Sequence, residues 1–350
     1  MRVKYTYLLF GLLLLAISCQ EDSLNSEAEF YSYHIPGQEG LFIDLDPVDR
    51  TINLLFPETV TSASDLVAEY EVSDGALVTV NNEVQISGTT GNDFERSFTY
   101  TVTSEDRSRI HEWAVASSNN EFTNPWGLGG FQKKTLSNNR DYSWYLDQAN
   151  TGEHSRNNCG PTSTTMAALW FDEHFDRTAE QARESYNPEG GWWYTDDIHD
   201  YLNDFNIPHF FISLGSYSDA TWSIVTSQLD AGNICILNLD MYYVRGAERA
   251  NWRVDKFYNT NGRDWGHFII AKGYKVVDGN KYFEIYDPYS WEKKYSDGGL
   301  KGMDRHYRSE DIFKATSIWW NHTIVISPKG TKSMPREALE ASSIEHQWGG

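Results

Sequence analysis

The sequence predicts an α+β fold for most of the chain, preceded by a small all-β unit. Short runs of β-branched and aromatic residues, separated by turn signals, recur between residues 51 and 116. Further along, segments with apolar residues at helical spacing come first, and apolar runs typical of strands follow. A run of helices followed by a run of strands indicates an α+β layout. The length of 350 residues leaves room for two domains.

The first residues have the pattern of an export signal. Two basic residues precede an apolar run over 7–17, which is shorter than the ~20 residues that a membrane-spanning helix needs. The run ends in small residues followed by Cys19, which resembles the lipobox of bacterial lipoproteins. The resemblance implies a signal peptide over 1–18, lipidation of Cys19 and a tether over 19–29. A plain signal peptide cut near Cys19 is the alternative.

Either form of the signal takes the protein out of the cytoplasm. A lipid on Cys19 would anchor it to a membrane, and the expected location is the cell envelope, as an outer-membrane lipoprotein that is periplasmic or surface-exposed. The formal net charge is −21, from 29 basic and 50 acidic residues. Such a chain would repel phosphates, so a nucleic-acid partner is not expected.

Residues 30–118 are predicted to form a β-sandwich. Strands are expected over 51–57, 66–72, 98–103 and 113–116, with glycine-containing turns between them. The unit resembles the small Ig-like modules that precede catalytic domains in surface lipoproteins. It contains no cluster of chemically active residues, so a spacer role is favoured over ligand binding. A linker is predicted at 117–120, and an irregular segment over 122–139.

Residues 119–330 contain the elements of the larger domain. Helices are predicted where apolar residues recur every three or four positions, from 161 onward, over 178–186, from 195 onward and over 219–229. Strands are predicted in apolar runs over 208–213, 234–239, 267–274, 281–287 and 316–327. The last residues, 331–350, are predicted to be a C-terminal tail.

Cys159 is the candidate nucleophile. It stands just before Pro161, and proline suits the first position of a helix because its missing N–H costs nothing there. The cysteine would therefore lie at a helix N-terminus, where the macrodipole and free N–H groups favour the thiolate. The alternative is a small buried hydrophobic residue, as most free cysteines are.

Three further residues are candidates for the chemistry that a cysteine nucleophile needs. His267 begins a strand-like run and could act as a general base. Asp287 ends the next run, before a proline, and could orient the imidazole. Gln148 follows an aromatic segment and could donate to an oxyanion. Taken singly, they could also be a strand-end histidine, a turn acid and a surface amide.

The order of these motifs resembles one family. Gln148, then Cys-Gly-Pro at Cys159, then Gly-His at His267, then Asp-Pro at Asp287 resembles the C39-type branch of the papain-like cysteine peptidases, over residues 144–327. The resemblance implies a papain-like fold, a Cys-His-Asp triad and an oxyanion hole made by Gln148 and the Cys159 N–H. It also implies a peptide or protein substrate and no cofactor.

Several alternatives remain from the sequence. Cell-wall amidases and acyl transferases use the same catalytic Cys-His pair, so either activity is an alternative. If the domain is catalytically inert, the chain would instead be a surface-binding protein. His154 is a competing candidate base. A disulfide between Cys159 and Cys235 would silence the nucleophile, and no cysteine pair has the spacing of metal ligands. The glycine-hinged aromatic cluster over 190–194 is either a wall of the substrate cleft or a packed loop.

Overall fold

A computed structural model describes residues 23–120 and 129–330 of the chain. Ten short strands make up the first part, and their bounds are β1 Phe30–His34, β2 Phe42–Asp46, β3 Thr51–Leu55, β4 Leu66–Val67, β5 Glu69–Val72, β6 Leu77–Val80, β7 Glu83–Val84, β8 Gly91–Asn92, β9 Phe98–Thr103 and β10 Ile110–Ser118. A six-stranded sheet has the order β2-β3-β10-β9-β6-β7, and β1-β5 and β4-β8 form two separate pairs.

The core of this all-β part follows from alternation along its longest strands. Tyr100 and Val102 of β9 and Trp113 and Val115 of β10 are buried, with exposed or half-buried residues between them. β10 pairs with β9 antiparallel and with β3 parallel. The strand predicted over 66–72 is divided at the buried Ala68 into β4 and β5. The Ig-like assignment and the domain boundaries stay predictions.

Seven strands and five helices form the rest of the described chain. The strands are β11 Gln132–Ser137, β12 His209–Ser213, β13 Ile234–Asp240, β14 Gly266–Val277, β15 Asn280–Tyr286, β16 Arg305–Arg308 and β17 His322–Ile326. The helices are α1 Cys159–Phe171, α2 Ala179–Ser185, α3 Thr195–Asp204, α4 Asp219–Asp230 and α5 Ser309–Trp319. The sheet order is β12-β17-β13-β14-β15-β16, with β11 also paired to β14, and all pairs are antiparallel.

Helices cover both faces of this sheet, so the mixed α/β part has three layers. On β13, Ile234 and Ile236 face the core shared with α1, α2 and α3, whereas Cys235 and Leu237 face the core shared with α4 and α5. Successive side chains of a strand point to opposite faces, which explains why β13 is an uninterrupted buried run rather than an alternating one.

Three predicted segments differ from the structure. The strand predicted over 316–327 begins as the end of α5, a helix with Glu310 and Asp311 in its first turn where the macrodipole favours acids. Within the segment predicted as a strand, only β17 is a strand in the structure. The segment predicted as irregular contains β11, which hydrogen-bonds along β14. The predicted linker at 117–120 is buried, and the Asn119 amide donates to the carbonyls of Val60 and Gln132 at 2.8 Å each.

The predicted signal peptide, Cys19, part of the tether and the predicted C-terminal tail lie outside the described residues. Within 23–120 and 129–330, no helix is both long enough and apolar enough to cross a membrane.

Candidate active site

Helix α1 begins at Cys159 itself, two residues earlier than the proline rule predicts. Asn158 precedes it but does not cap the helix with its side chain. Instead, Asn158 Nδ2 donates to the Thr151 carbonyl at 2.9 Å, and its Oδ1 accepts from Arg183 Nε at 2.8 Å. The first N–H groups of the helix are therefore left without a side-chain cap beside the Cys159 thiol, which favours a negative charge there.

His267 and Asp287 are brought together by the antiparallel pairing of β14 with β15. His267 is the second residue of β14, and Asp287 directly follows β15. The imidazole Nε2 lies 2.7 Å from Asp287 Oδ1, and both side chains are buried. The imidazole also interacts with the Cys159 thiol. Because Nε2 meets the carboxylate, Nδ1 is the nitrogen left to face the sulfur.

The electrostatics of these three groups favour an ion pair. Burial acts to raise the pKa of the Cys159 thiol, but the hydrogen bond and charge of His267, with backbone N–H groups of Phe268 and Gly160, bring that pKa below its usual value. Burial acts to lower the pKa of His267, yet Asp287 and Cys159 together raise it to about 10. A thiolate facing an imidazolium follows from these opposite shifts.

Asp287 is held by more partners than its sequence position indicates. Its Oδ2 accepts from the hydroxyls of Tyr258 at 2.9 Å and Tyr307 at 2.6 Å, and its Oδ1 accepts from the Tyr289 backbone N–H at 2.9 Å. Burial acts to raise the pKa of this carboxyl, but the charge and hydrogen bond of His267, followed by the Tyr307 hydroxyl, lower it. The carboxylate stays charged and fixed in orientation. Nothing local in the sequence marked Tyr258 or Tyr307.

Gln148 is buried at the start of a short 3₁₀ turn, Gln148–Asn150. Its Nε2 lies 3.0 Å from the carbonyl of Ser155 and 3.5 Å from that of Arg156, in the turn before Cys159. Its backbone N–H donates to the Pro288 carbonyl at 2.9 Å. Gln148 is therefore hydrogen-bonded both to the turn that precedes Cys159 and to Pro288, which follows Asp287. Its side-chain amide contacts that turn rather than the thiol.

Asp147, which the sequence did not single out, stabilises the turn that follows Asp287. Trp291 and Glu292 have φ values of 48° and 60°, in the left-handed region that non-glycine residues rarely adopt. Their backbone N–H groups donate to the Asp147 carboxylate at 3.0 and 2.7 Å. Two charge-assisted hydrogen bonds offset the cost of this conformation and tie it to the residue beside Gln148.

Arg183 is a further residue that sequence reasoning missed. It lies on α2 with 2% of its surface exposed, and besides Asn158 it donates to the carbonyls of Asn157 and Gly191 at 2.8 Å each. Burial lowers the pKa of its guanidinium, whereas the Cys159 thiolate acts to raise it. A buried cation thus connects the residues before Cys159 with the loop over 187–194. Its position on an otherwise ordinary short helix gave no signal.

That loop forms a wall of a cavity of about 270 Å³ beside the thiol. For the glycine-hinged aromatic cluster, the structure shows a cavity wall, and whether substrate binds there stays a prediction. Cys159 and His267 line this cavity, together with the rings of Trp192, Trp193, Tyr194 and Trp319. Apolar walls with a few convergent polar groups are typical of small-molecule and peptide sites.

The competing candidates lie in different surroundings. His154 packs against Gly190, where an added Cβ would overlap its ring. Cys159 and Cys235 are both free thiols. Cys235 is buried in β13, and this burial raises its pKa to about 12. Within the described residues, no group of three or more His, Cys, Asp or Glu side chains could hold a metal ion.

Residues 141–309 match the model of the Peptidase_C39 like family. A solved structure from Bacillus anthracis, assigned as a C39-like peptidase, has 12% identity, covers 57% of this chain and 100% of that chain, and gives a TM-score of 0.38. A second solved structure, of a protein from Bacteroides fragilis that is assigned as secreted, has 20% identity and a TM-score of 0.20. The match covers 27% of this chain and 98% of that chain.

A protein from Bacteroides thetaiotaomicron, assigned as a glycoside hydrolase, has 12% identity, covers 88% of this chain and 97% of its own, and gives a TM-score of 0.23. No curated protein matches the sequence.

Proposed function

We propose that the protein is a cysteine peptidase with Cys159 as nucleophile and His267 as base, since residues 141–309 match the model of the Peptidase_C39 like family. One observation carries this proposal. A thiol at the start of α1 faces an imidazole whose other nitrogen is 2.7 Å from a buried carboxylate. Nucleophile, base and orienting acid are the three parts that covalent acyl transfer requires.

The reaction follows from the protonation states. The Cys159 thiolate attacks the carbonyl carbon of the peptide bond, and its electrons move onto the carbonyl oxygen. As this intermediate collapses, the imidazolium of His267 gives its proton to the leaving amine, and a thioester remains on Cys159. His267, now neutral, takes a proton from water, which attacks the thioester. The products are an amine, a carboxylic acid and the regenerated ion pair.

Two donors are proposed for the oxyanion. The backbone N–H of Cys159 is at the N-terminus of α1, where no earlier carbonyl of the helix can accept from it. The second donor is the Gln148 amide, which is fixed next to the turn before Cys159. In this arrangement Asp147, the residue before Gln148, accepts hydrogen bonds from the backbone of Trp291 and Glu292 and so positions Gln148 relative to the segment after Asp287.

We expect the Gln148→Ala variant to lose about 10²–10³-fold in kcat with little change in KM, because an oxyanion donor acts on the transition state and not on bound substrate. Steady-state hydrolysis of a fluorogenic peptide measures both constants. Asn150→Ala, in the same turn, is the matched control. An unchanged kcat in Gln148→Ala would remove Gln148 from the oxyanion hole.

A cell-wall amidase or acyl transferase is the second candidate, because the thiolate–imidazolium pair attacks any activated amide carbonyl in reach. Purified protein assayed side by side on a fluorogenic peptide library and on purified peptidoglycan separates the two functions. The peptidase proposal expects turnover of peptides that is absent from Cys159→Ala. Release of wall fragments without peptide turnover would favour the amidase, and inactivity on both would favour the surface-binding alternative.

We also propose that the protein is anchored in the cell envelope by a lipid on Cys19. The support is the sequence pattern of basic residues, apolar run and small residues before that cysteine. Partition of the wild-type protein into the membrane fraction, lost in Cys19→Ser, tests the anchor. A Cys19→Ser protein that still partitions fully with membranes would contradict it.

A further inference from the structure

The cavity beside Cys159 and His267 is built on two glycines. Gly160 follows Cys159, and a Cβ there would overlap the side chain of Trp193. Gly266 precedes His267, and a Cβ there would overlap the ring of Trp319. Each indole therefore lies directly on backbone adjacent to a reacting residue. Both walls of the cavity are fixed relative to the thiol and the imidazole, which is what a substrate-positioning site needs.

Of the two tryptophans, Trp319 is the one that the family match does not include. It is the last residue of α5, ten residues after position 309, where the match to the family model ends. It is half-buried, whereas Ile318 beside it is 43% exposed and does not line the cavity. Trp320, which directly follows α5, packs against Phe211 with their ring centroids 5.7 Å apart. The Trp319 indole thus closes the cavity from a segment outside the matched region.

We propose that this cavity is a subsite for a bulky apolar side chain of the peptide substrate, and that Trp319 sets its depth. The inference rests on the proposed peptidase function and specifies its substrate class. Trp192 and Tyr194, with 49% and 45% of their surface exposed, form the mouth of the cavity, and Phe268 is part of the lining. A branched aliphatic or aromatic side chain buried between these rings loses its contact with water and gains their dispersion contacts.

The polar groups that line the cavity are not suited to bind a charged side chain of the substrate. Asp264 is exposed at the mouth and can stay hydrated, and Asn238 is a neutral amide. An arginine or lysine of the substrate would find ring faces and one solvated carboxylate, rather than the buried, paired acid that desolvation of a cation requires. A glycine would leave the cavity unfilled. We therefore expect the ranking leucine or phenylalanine, then alanine, then glycine and charged residues.

The test uses fluorogenic peptides that differ in a single residue near the scissile bond, with each flanking position scanned in turn. At one position we expect the wild-type protein to favour leucine or phenylalanine over alanine by at least about 10-fold in kcat/KM, within the 10–200-fold range for a methylene-sized difference in an apolar pocket. In Trp319→Ala the preference for leucine over alanine should fall to a few-fold or less. The kcat/KM of phenylalanine and tryptophan substrates should decrease less than that of the leucine substrate. Trp319→Leu should give an intermediate ranking.

Ile318→Ala, on the same helix turn, is the matched control and should keep the wild-type ranking. Thermal unfolding of each variant shows whether it is folded. If Trp319→Ala and Trp319→Leu, both folded, lower all substrates equally without changing their ranking, or if the wild type prefers glycine or a charged residue at every position, the inference is wrong.

A second readout separates this inference from the proposed function. Peptidyl chloromethyl ketones that differ only in that side chain alkylate Cys159 without requiring turnover, and mass spectrometry gives the rate. A leucine reagent that reacts faster than a glycine reagent in the wild type, but not in Trp319→Ala, supports the subsite even if no peptide is hydrolysed. Equal rates for both reagents in the wild type would overturn it, even if peptides are cleaved.

Discussion

Cys159→Ala is expected to lower kcat/KM for peptide hydrolysis by about 10⁴-fold or more, to the level that binding and the oxyanion donors sustain without a nucleophile. The fold should survive, because the side chain is small and alanine fits a helix N-terminus without new contacts. Hydrolysis of the best fluorogenic peptide, with circular dichroism of the same sample, measures both quantities.

The matched control is the other buried cysteine. Cys235→Ala removes a sulfur on the opposite face of β13, in the core shared with α4 and α5. It should lower the melting temperature through the cavity it leaves, and leave kcat near the wild-type value. Full activity in Cys159→Ala, or loss of activity in a folded Cys235→Ala, would contradict the assignment of the nucleophile.

His267→Ala is expected to have the second large effect, again about 10⁴-fold in kcat/KM, because it removes both the partner that lowers the pKa of Cys159 and the proton donor to the leaving amine. The same peptide assay measures it. Since Asp287 would then be a buried carboxylate without its imidazole, a lower melting temperature is also expected.

His154→Ala separates the two histidines that the sequence left open. His154 packs against Gly190 at the base of the aromatic loop, and its loss should change KM more than kcat. A loss of kcat in His154→Ala as large as that in His267→Ala would move the role of base to His154.

The three candidate residues that the structure brings together, Cys159, His267 and Asp287, could be singled out from the sequence because they occur in short motifs at element ends. Cys159 begins a helix, His267 stands at the start of a strand and Asp287 follows one, and in each case a glycine or proline neighbour marks the position. The neighbouring helices and strands could be predicted from apolar periodicity, because each buries one face or both faces in a core. The same signal did not separate α5 from β17, because Ile318, Trp319 and Trp320 suit a strand as well as a helix.

Residues that act across long sequence distances could not be predicted in this way. Tyr258 and Tyr307 reach Asp287 from separate segments, and Asp147 reaches Trp291 across 144 positions. Arg183 contacts the turn before Cys159 only because α2 packs beside α1. These hydrogen bonds depend on tertiary packing, for which a local pattern carries no information. β11 was missed for a related reason, since its six residues pair with β14 while most of their side chains face solvent.

The central claim is that Cys159 is a thiolate stabilised by the imidazolium of His267, and its pH dependence tests this most directly. The rate of Cys159 alkylation by iodoacetamide, followed by mass spectrometry against pH, reports the fraction of thiolate. Because the pKa of Cys159 is lowered, the rate should stay high as the pH falls below the ordinary thiol range near 8.5, and decrease only when the lowered pKa is passed.

Asp287→Asn should move that decrease to higher pH, since His267 would lose the carboxylate that holds its pKa at about 10. Cys235, whose pKa is raised to about 12, should remain unlabelled in the folded protein and serve as the internal control. A single transition at the ordinary thiol pKa, the same in the wild type and in Asp287→Asn, would contradict the ion pair and with it the proposed mechanism.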